Sequence, residues 1–106
     1  MKIGIIISQT EAETVWNAFR FANFSLDKKH EVKVFLIAKG VECEEINDDR
    51  FNVKEQIGKF INNGGMIFAC GTCLKSRHKE SSTVCPISTM QDLMNIVEES
   101  DKLVSF

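Results

Sequence analysis

The sequence lacks any long hydrophobic run. A membrane-spanning helix needs about 20 consecutive, mostly apolar residues, and no stretch of this chain approaches that length. The apolar amino-terminal run, Met1–Ile7, is too short for a signal peptide, and no small-residue cleavage site follows it. We therefore predict that this run forms a strand, that the protein does not enter a membrane, and that it is cytoplasmic.

The sequence also lacks a strong charge of one sign and a phosphate-binding loop. A net charge of −2 gives no reason to expect nucleic-acid binding. No G-x-G-x-x-G or Walker A motif occurs, and we interpret Gly64-Gly65 as the end of a helix. No Ser-His-Asp set and no isolated carboxylate pair stands out. No cofactor is expected.

What the sequence does contain is a regular alternation of strand-like and helix-like segments. With 106 residues it is predicted to form a single domain, 1–106. Apolar runs predict strands at 3–7, 31–38, 65–70, 83–86 and 102–106. Helical spacing and capping-box pairs predict helices after Thr10 with Glu13, Asn52 with Glu55, and Ser88 with Gln91, and a short helix over 74–80.

This alternation predicts an α/β fold, with a parallel sheet covered by helices on both faces. In such sheets, ligands and catalytic groups collect beyond the carboxyl ends of the strands. Cys70, the Ser8-Gln9-Thr10 segment and the loop 39–49 all follow predicted strands. We expect these segments to meet at one crevice, with the acidic part of the loop, 42–49, folding over it.

Four cysteines are present. Without an export signal, reduced thiols are expected rather than a disulfide framework. Cys43 lies among Glu42, Glu44 and Glu45, whose charges are predicted to raise its pKa and to make it a poor nucleophile. Cys85 precedes Pro86 and is interpreted as a small buried residue or as a resolving thiol in the crevice.

Cys70 and Cys73 form a C-x-x-C between a predicted buried strand and a short basic helix. The amino end of a helix favours anions, so a thiolate is favoured there. Three functions are compatible with this layout, namely sulfur transfer through a persulfide, dithiol–disulfide redox chemistry, and metal binding with His78 and Cys85. The metal site lacks a second paired arm. The remaining interpretation is that the cysteines only pack in the core.

The chain resembles the DsrE/DsrF-like family, which includes TusD-type sulfur-relay subunits, over nearly its whole length. The resemblance rests on the first strand, the helix that follows Thr10, and a third strand that ends in cysteine. The stretch 69–77, Ala-Cys-Gly-Thr-Cys-Leu-Lys-Ser-Arg, resembles the small CGTC-bearing branch. The closing residues 100–106 are similar to the family's last strand. Family members often carry Arg-Gly where this chain has Arg77-His78.

The resemblance implies a flavodoxin-like, three-layer α/β/α domain with a mainly parallel five-stranded sheet, assembled into homo-oligomers, trimers or hexamers. It also implies sulfur handling by the cysteine after the third strand, whose position Cys70 matches. Cys73 is a feature of the smaller branch.

We therefore predict a small cytoplasmic sulfur carrier or sulfurtransferase-like protein that holds sulfane sulfur as a persulfide on Cys70. Cys73 is the neighbouring thiol, which assists or releases the sulfur by forming a disulfide. Its partners are a sulfur donor protein and an acceptor protein. The anion is stabilised by the start of the short helix and its basic side chains, which are Gly71, Thr72, Lys75 and Arg77. The alternatives are a non-catalytic oligomeric binding or regulatory module, and a dithiol redox protein.

Overall fold

The computed structural model describes residues 1–79 and 86–106. Its elements follow the predicted alternation closely. They are β1 (Lys2–Ile7), α1 (Ala12–Asp27), β2 (Glu31–Leu36), a 3₁₀ helix (Ala38–Glu45), α2 (Val53–Asn62), β3 (Met66–Cys70), α3 (Gly71–Ser76), β4 (Ile87–Ser88), α4 (Met90–Glu99) and β5 (Lys102–Ser105). The fourth strand was predicted over 83–86, of which residues 83–85 lie outside the described part of the chain, and β4 begins at Ile87.

The five strands form one sheet in the order β4-β3-β2-β1-β5, and every neighbouring pair is parallel. The connections from β1 to β2 and from β2 to β3 run in one direction across the sheet, whereas α4 returns from β4 to β5. Right-handed crossovers in opposite directions put their helices on opposite faces. The fold is therefore the predicted α/β/α arrangement.

The core lies between the sheet and the layer formed by α1 and α2. Alternate residues of β1 share one face, and Ile3, Ile5 and Ile7 are all buried there. The two helices contact each other through Phe19 and Phe60, whose ring centroids lie 5.8 Å apart. On the other face α4 lies close to β1. The evidence is that a side chain on Gly4 would overlap the side chains of Ile96, Ser100 and Leu103.

Two of the predicted helix caps are wrong by one residue. Helix α1 is capped by Glu11, whose carboxylate accepts hydrogen bonds from the amides of Glu13 and Thr14, and not by Thr10. Helix α4 is capped by Thr89 in a capping box with Asp92, because Ser88 is the last residue of β4 and pairs with Cys70.

The remaining cap is as predicted, whereas the end of β2 and the loop after it differ from the prediction. The predicted cap of α2 is confirmed, since the Asn52 side chain accepts a hydrogen bond from the amide of Glu55 at 3.1 Å. Strand β2 ends at Leu36 rather than residue 38, and the first half of the predicted acidic segment 42–49 belongs to the 3₁₀ helix. Within residues 1–79 and 86–106, no helix is long and apolar enough to cross a membrane.

Candidate functional site

Cys70 is the junction between β3 and α3. It is the last residue of the strand and the N-cap of the helix, with φ −58° and ψ 118°. Helix α3 therefore begins at Gly71, three residues earlier than predicted. A Cβ atom on Gly71 would lie 3.0 Å from Cγ2 of Ile87 and 3.3 Å from the carbonyl oxygen of Ser88. The absence of a side chain at Gly71 lets the turn after Cys70 pack tightly against β4.

The two thiols of the C-x-x-C differ in exposure. Cys70 is only 3% exposed and belongs to the hydrophobic core together with Ala69 and Leu74. Cys73, one turn into α3, is half-buried and packs against the edge of that core. Both are free cysteines. A molecule that approaches the surface therefore meets the sulfur of Cys73 before that of Cys70.

The backbone amide of Ala38 points at Cys73. Its N–H donates to Sγ of Cys73 across 3.2 Å. Ala38 adopts a left-handed conformation, with φ 53°, directly after β2. The carboxyl ends of β2 and β3 thus meet at one place, as the parallel sheet predicts. Sequence reasoning missed Ala38 because its contribution comes from the backbone and no side-chain pattern marks it.

The surroundings of Cys73 have opposing effects on its ionisation. Burial and a hydrogen bond with the Cys70 thiol raise the pKa of Cys73 above its usual value. The Ala38 amide and the positive charge of Arg77 act in the opposite direction on the pKa of Cys73, without cancelling the rise. The two thiols therefore interact directly.

Much of the predicted positive charge beside the thiols is paired with acidic residues of the 3₁₀ helix. Nε of Arg77 lies 3.1 Å from a carboxylate oxygen of Glu42, and Lys79 pairs with Glu45. Arg77 also donates from Nη1 to the carbonyl oxygen of Cys73 at 3.2 Å. The first part of the acidic segment, Glu42 to Glu45, therefore lies beside α3. Folding of the whole segment 42–49 over the crevice stays a prediction. Lys75 is exposed to solvent.

The other candidate residues make no contact with the two thiols that the structure records, or lie outside the described residues. Thr72 is exposed in the first turn of α3. Cys43 is fully buried, and burial first, then the charge of Glu44, raises its pKa to about 12. The predicted direction is correct, but burial contributes more than charge. His78 is exposed with φ 54°, and Cys85 lies outside the described residues.

The proposed metal ligands do not form a recognisable centre in the part of the chain that the structure describes. No group of three or more His, Cys, Asp or Glu residues there is arranged to hold a metal ion. Cys85, one of the four ligands considered, lies outside that part of the chain. The described geometry consists of two thiols, one backbone donor and one guanidinium group.

Comparison with known proteins identifies the family. The DsrE/DsrF-like family profile matches residues 1–106, the whole chain. The chain therefore belongs to the DsrE/DsrF-like family. The predicted resemblance is confirmed, and membership of this family suggests a role related to sulfur relay.

Two archaeal proteins of similar length are related in sequence to this DsrE/DsrF-like chain. The uncharacterized protein MK0008 of Methanopyrus kandleri is 34% identical, and the alignment covers 98% of this chain and 93% of MK0008. The uncharacterized protein MJ0989 of Methanocaldococcus jannaschii is 33% identical, with both chains fully covered. The two alignments extend over the whole or nearly the whole of this chain.

Solved structures share the fold at much lower identity. The YchN protein from E. coli superposes with a TM-score of 0.85 and 17% identity, with both chains fully covered. The conserved protein BT1422 from Bacteroides thetaiotaomicron has a TM-score of 0.78 and 20% identity, covering 99% of this chain and 94% of BT1422. At such identities the likeness concerns the fold alone, which is that of DsrE-like proteins.

Proposed function

We propose that this protein carries sulfane sulfur as a persulfide on Cys70 and passes it between a donor protein and an acceptor protein in the cytoplasm. The observation that supports the proposal is the direct interaction of two thiols at the carboxyl end of β3. Family membership, which suggests sulfur relay, points in the same direction. Cys73 serves as the neighbouring thiol.

The transfer needs no external oxidant or reductant. Loading moves the outer sulfur of a donor persulfide to Cys70: a new S–S bond forms on Cys70, the donor's own S–S bond breaks, and the donor leaves as a thiolate. The acceptor then attacks the outer sulfur on Cys70 in the same way and restores the thiolate. One sulfur atom moves in each step, and the number of electrons is unchanged.

The start of α3 and its basic side chains support the anionic states. Gly71 and Thr72 are the first residues of α3, and the first amides of a helix have no acceptor within it. Arg77 is held by Glu42 close to the carbonyl oxygen of Cys73. Lys75, exposed on the same helix, adds an unburied positive charge for the incoming persulfide.

Loading with sulfur tests the proposal directly. The reduced protein is incubated with a cysteine desulfurase and cysteine, separated from small molecules, and weighed intact by mass spectrometry. The expected result is one additional sulfur atom on the wild type, which peptide mapping assigns to Cys70. The Cys70→Ser variant is expected to retain no stably bound additional sulfur atom. A wild type that never gains sulfur would contradict the proposal, as would a Cys70→Ser variant that retains it equally well.

A dithiol–disulfide redox function is the second candidate, and the contact between Cys70 and Cys73 favours it. It predicts reversible formation of a Cys70–Cys73 disulfide at a cellular redox potential, measured by thiol trapping in glutathione buffers. A purely structural role for Cys70 predicts slow alkylation of Cys70 in the native protein and no sulfur loading.

Self-association is part of the proposed function. Helix α4 exposes Met90, Met94 and Val97, which are 56%, 49% and 41% exposed. These positions are three or four residues apart and lie along one side of the helix. An apolar stripe of this kind is a favourable surface for association. We propose a homo-oligomer, a trimer or a hexamer, with α4 at its interface.

A further inference from the structure

We propose that Cys73, held by the Ala38 amide, is the thiol that first accepts sulfur from the donor, and that the sulfur then moves inward to Cys70. This inference rests on the proposed sulfur-carrier function and specifies the order in which the two thiols act. It adds a backbone group, the amide of Ala38, to the site.

The first argument is access. A donor protein carries its persulfide on a side chain, so the attacking sulfur must approach the outer sulfur within bonding distance. Cys70 is 3% exposed and lies among core residues, whereas Cys73 is half-buried at the surface of α3. Thiol–disulfide exchange depends on access to the attacking thiolate. Cys73 meets this requirement without any opening of the core.

The second argument is the set of groups directed at the sulfur of Cys73. The Ala38 N–H donates to this sulfur at 3.2 Å. The positive charge of Arg77 favours the ionised form of Cys73, and the guanidinium is held in place by Glu42. A hydrogen bond to an anion is stronger than one to a neutral acceptor. These two groups favour the thiolate of Cys73, and they offset part of the rise in its pKa that burial and Cys70 cause.

The third argument is the contact between the two thiols, which provides a path inward. In the first step, the Cys73 thiolate attacks the outer sulfur of the donor persulfide, and the donor leaves as a thiolate. In the second step, the Cys70 thiolate attacks the same outer sulfur on Cys73. The S–S bond to Cys73 breaks, a persulfide forms on Cys70, and Cys73 becomes a thiolate again. Both steps are exchanges in which no electrons are gained or lost.

The raised pKa of Cys73 has opposing effects on its reactivity as the first acceptor. A smaller fraction of Cys73 is ionised near neutral pH, but the nucleophilicity of a thiolate increases with its pKa. The elevated pKa makes Cys73 a poorer leaving group and so slows the inward step, which the contact between the two thiols assists.

Time-resolved loading tests the order. All variants carry Cys85→Ser, so that this thiol cannot accept sulfur. Each reduced protein is mixed with a cysteine desulfurase and cysteine, quenched by alkylation at intervals, and digested for peptide mapping. The wild-type background is expected to show sulfur on Cys73 first and on Cys70 later. Cys73→Ser is expected to load Cys70 more slowly by about tenfold or more, since the accessible thiol is missing.

Cys70→Ser is expected to accept sulfur on Cys73 at the normal initial rate and to lose it quickly in a thiol chase. Cys43 is fully buried and is an internal control that should stay unlabelled. Thermal unfolding of each variant shows whether the fold is intact.

The outcomes separate this inference from the proposed function. If Cys73→Ser loads Cys70 as fast as the background protein, the inference is wrong and the carrier function stands. If sulfur accumulates on Cys73 and never reaches Cys70, the inward step is wrong, and so is the assignment of the persulfide to Cys70. If the background protein never gains sulfur, the proposed function itself fails.

Discussion

At the scale of single residues, Cys73 is controlled by neighbours from two parts of the chain. Burial and Cys70 raise its pKa, and the Ala38 amide and Arg77 act against this rise. Ala38 is 35 positions away in sequence. The pKa of Cys73 therefore depends on how the 3₁₀ helix packs against α3.

The pH dependence of Cys73 alkylation is the first prediction. Because the pKa of Cys73 is raised, the rate of its reaction with iodoacetamide should keep increasing above the pKa of an ordinary thiol. Cys70→Ser removes a cause of the rise and should shift the midpoint to lower pH. Arg77→Gln removes a favourable positive charge and should shift it to higher pH. Peptide mapping after alkylation at a series of pH values measures both shifts.

Lys79→Gln is the matched control for this titration. Lys79 also pairs with an acidic residue of the 3₁₀ helix, but it does not contribute to the pKa of Cys73. The pH midpoint of Cys73 alkylation in Lys79→Gln should equal that of the wild type. A shift in Lys79→Gln equal to that in Arg77→Gln would mean that the ion pairs act only through the position of the 3₁₀ helix.

At the scale of elements, α4 begins one residue later than its sequence suggests. Thr89→Ala removes the side chain that accepts a hydrogen bond from the amide of Asp92. We expect the free energy of unfolding to fall by about 1 kcal/mol, the usual effect of losing an N-cap. Urea denaturation followed by circular dichroism measures it.

Gln91→Ala provides the comparison, because Gln91 was the capping partner expected from sequence. The side chain of Gln91 donates a hydrogen bond to the side chain of Asn95 in the next turn. Losing this hydrogen bond should lower the free energy of unfolding by less than about 0.5 kcal/mol. Equal costs for Thr89→Ala and Gln91→Ala would show that the cap at Thr89 does not stabilise α4 as described.

The end of α3 contains a residue in an unfavourable conformation. His78 follows the helix with φ 54°, a left-handed region in which a side chain costs roughly 1–2 kcal/mol relative to glycine. His78→Gly should therefore raise the free energy of unfolding by about 1 kcal/mol, measured by urea denaturation.

Lys75→Gly is the opposite case, since Lys75 is exposed within α3 itself. Glycine inside a helix costs about 0.5–1 kcal/mol, so this variant should be less stable than the wild type. If His78→Gly is also less stable than the wild type, the histidine side chain makes a contact that compensates for its unfavourable backbone conformation.

At the scale of the whole molecule, the exposed apolar side of α4 bears on assembly. Met94→Glu places a charge in the stripe formed by Met90, Met94 and Val97. Burying that charge in an interface is costly, so the variant should sediment as a smaller species than the wild type. Sedimentation velocity over a range of protein concentrations measures the change.

Asn95→Glu adds the same charge to the same helix, at an exposed position outside the stripe. It should leave the sedimentation coefficient unchanged. If Met94→Glu also sediments like the wild type, α4 is not the association surface.

Much of the architecture was predictable because its signals are local. The apolar run of β1 and the Asn52 cap of α2 depend on residues close in sequence, and both predictions are confirmed. The prediction placed a thiol pair after the third strand, where the structure has Cys70 and Cys73. The cap of α4 was misplaced because Ser88 is recruited into the sheet, which depends on a distant strand.

By itself the sequence determined the order of strands and helices, the parallel sheet and the presence of two cysteines at its carboxyl edge, since hydrophobic periodicity and chain order specify these. Only the tertiary structure decided that Cys70 is buried while Cys73 is half-buried, and that the Ala38 amide meets Cys73. Exposure and backbone hydrogen bonds depend on how distant segments pack, and no local pattern of side chains encodes them.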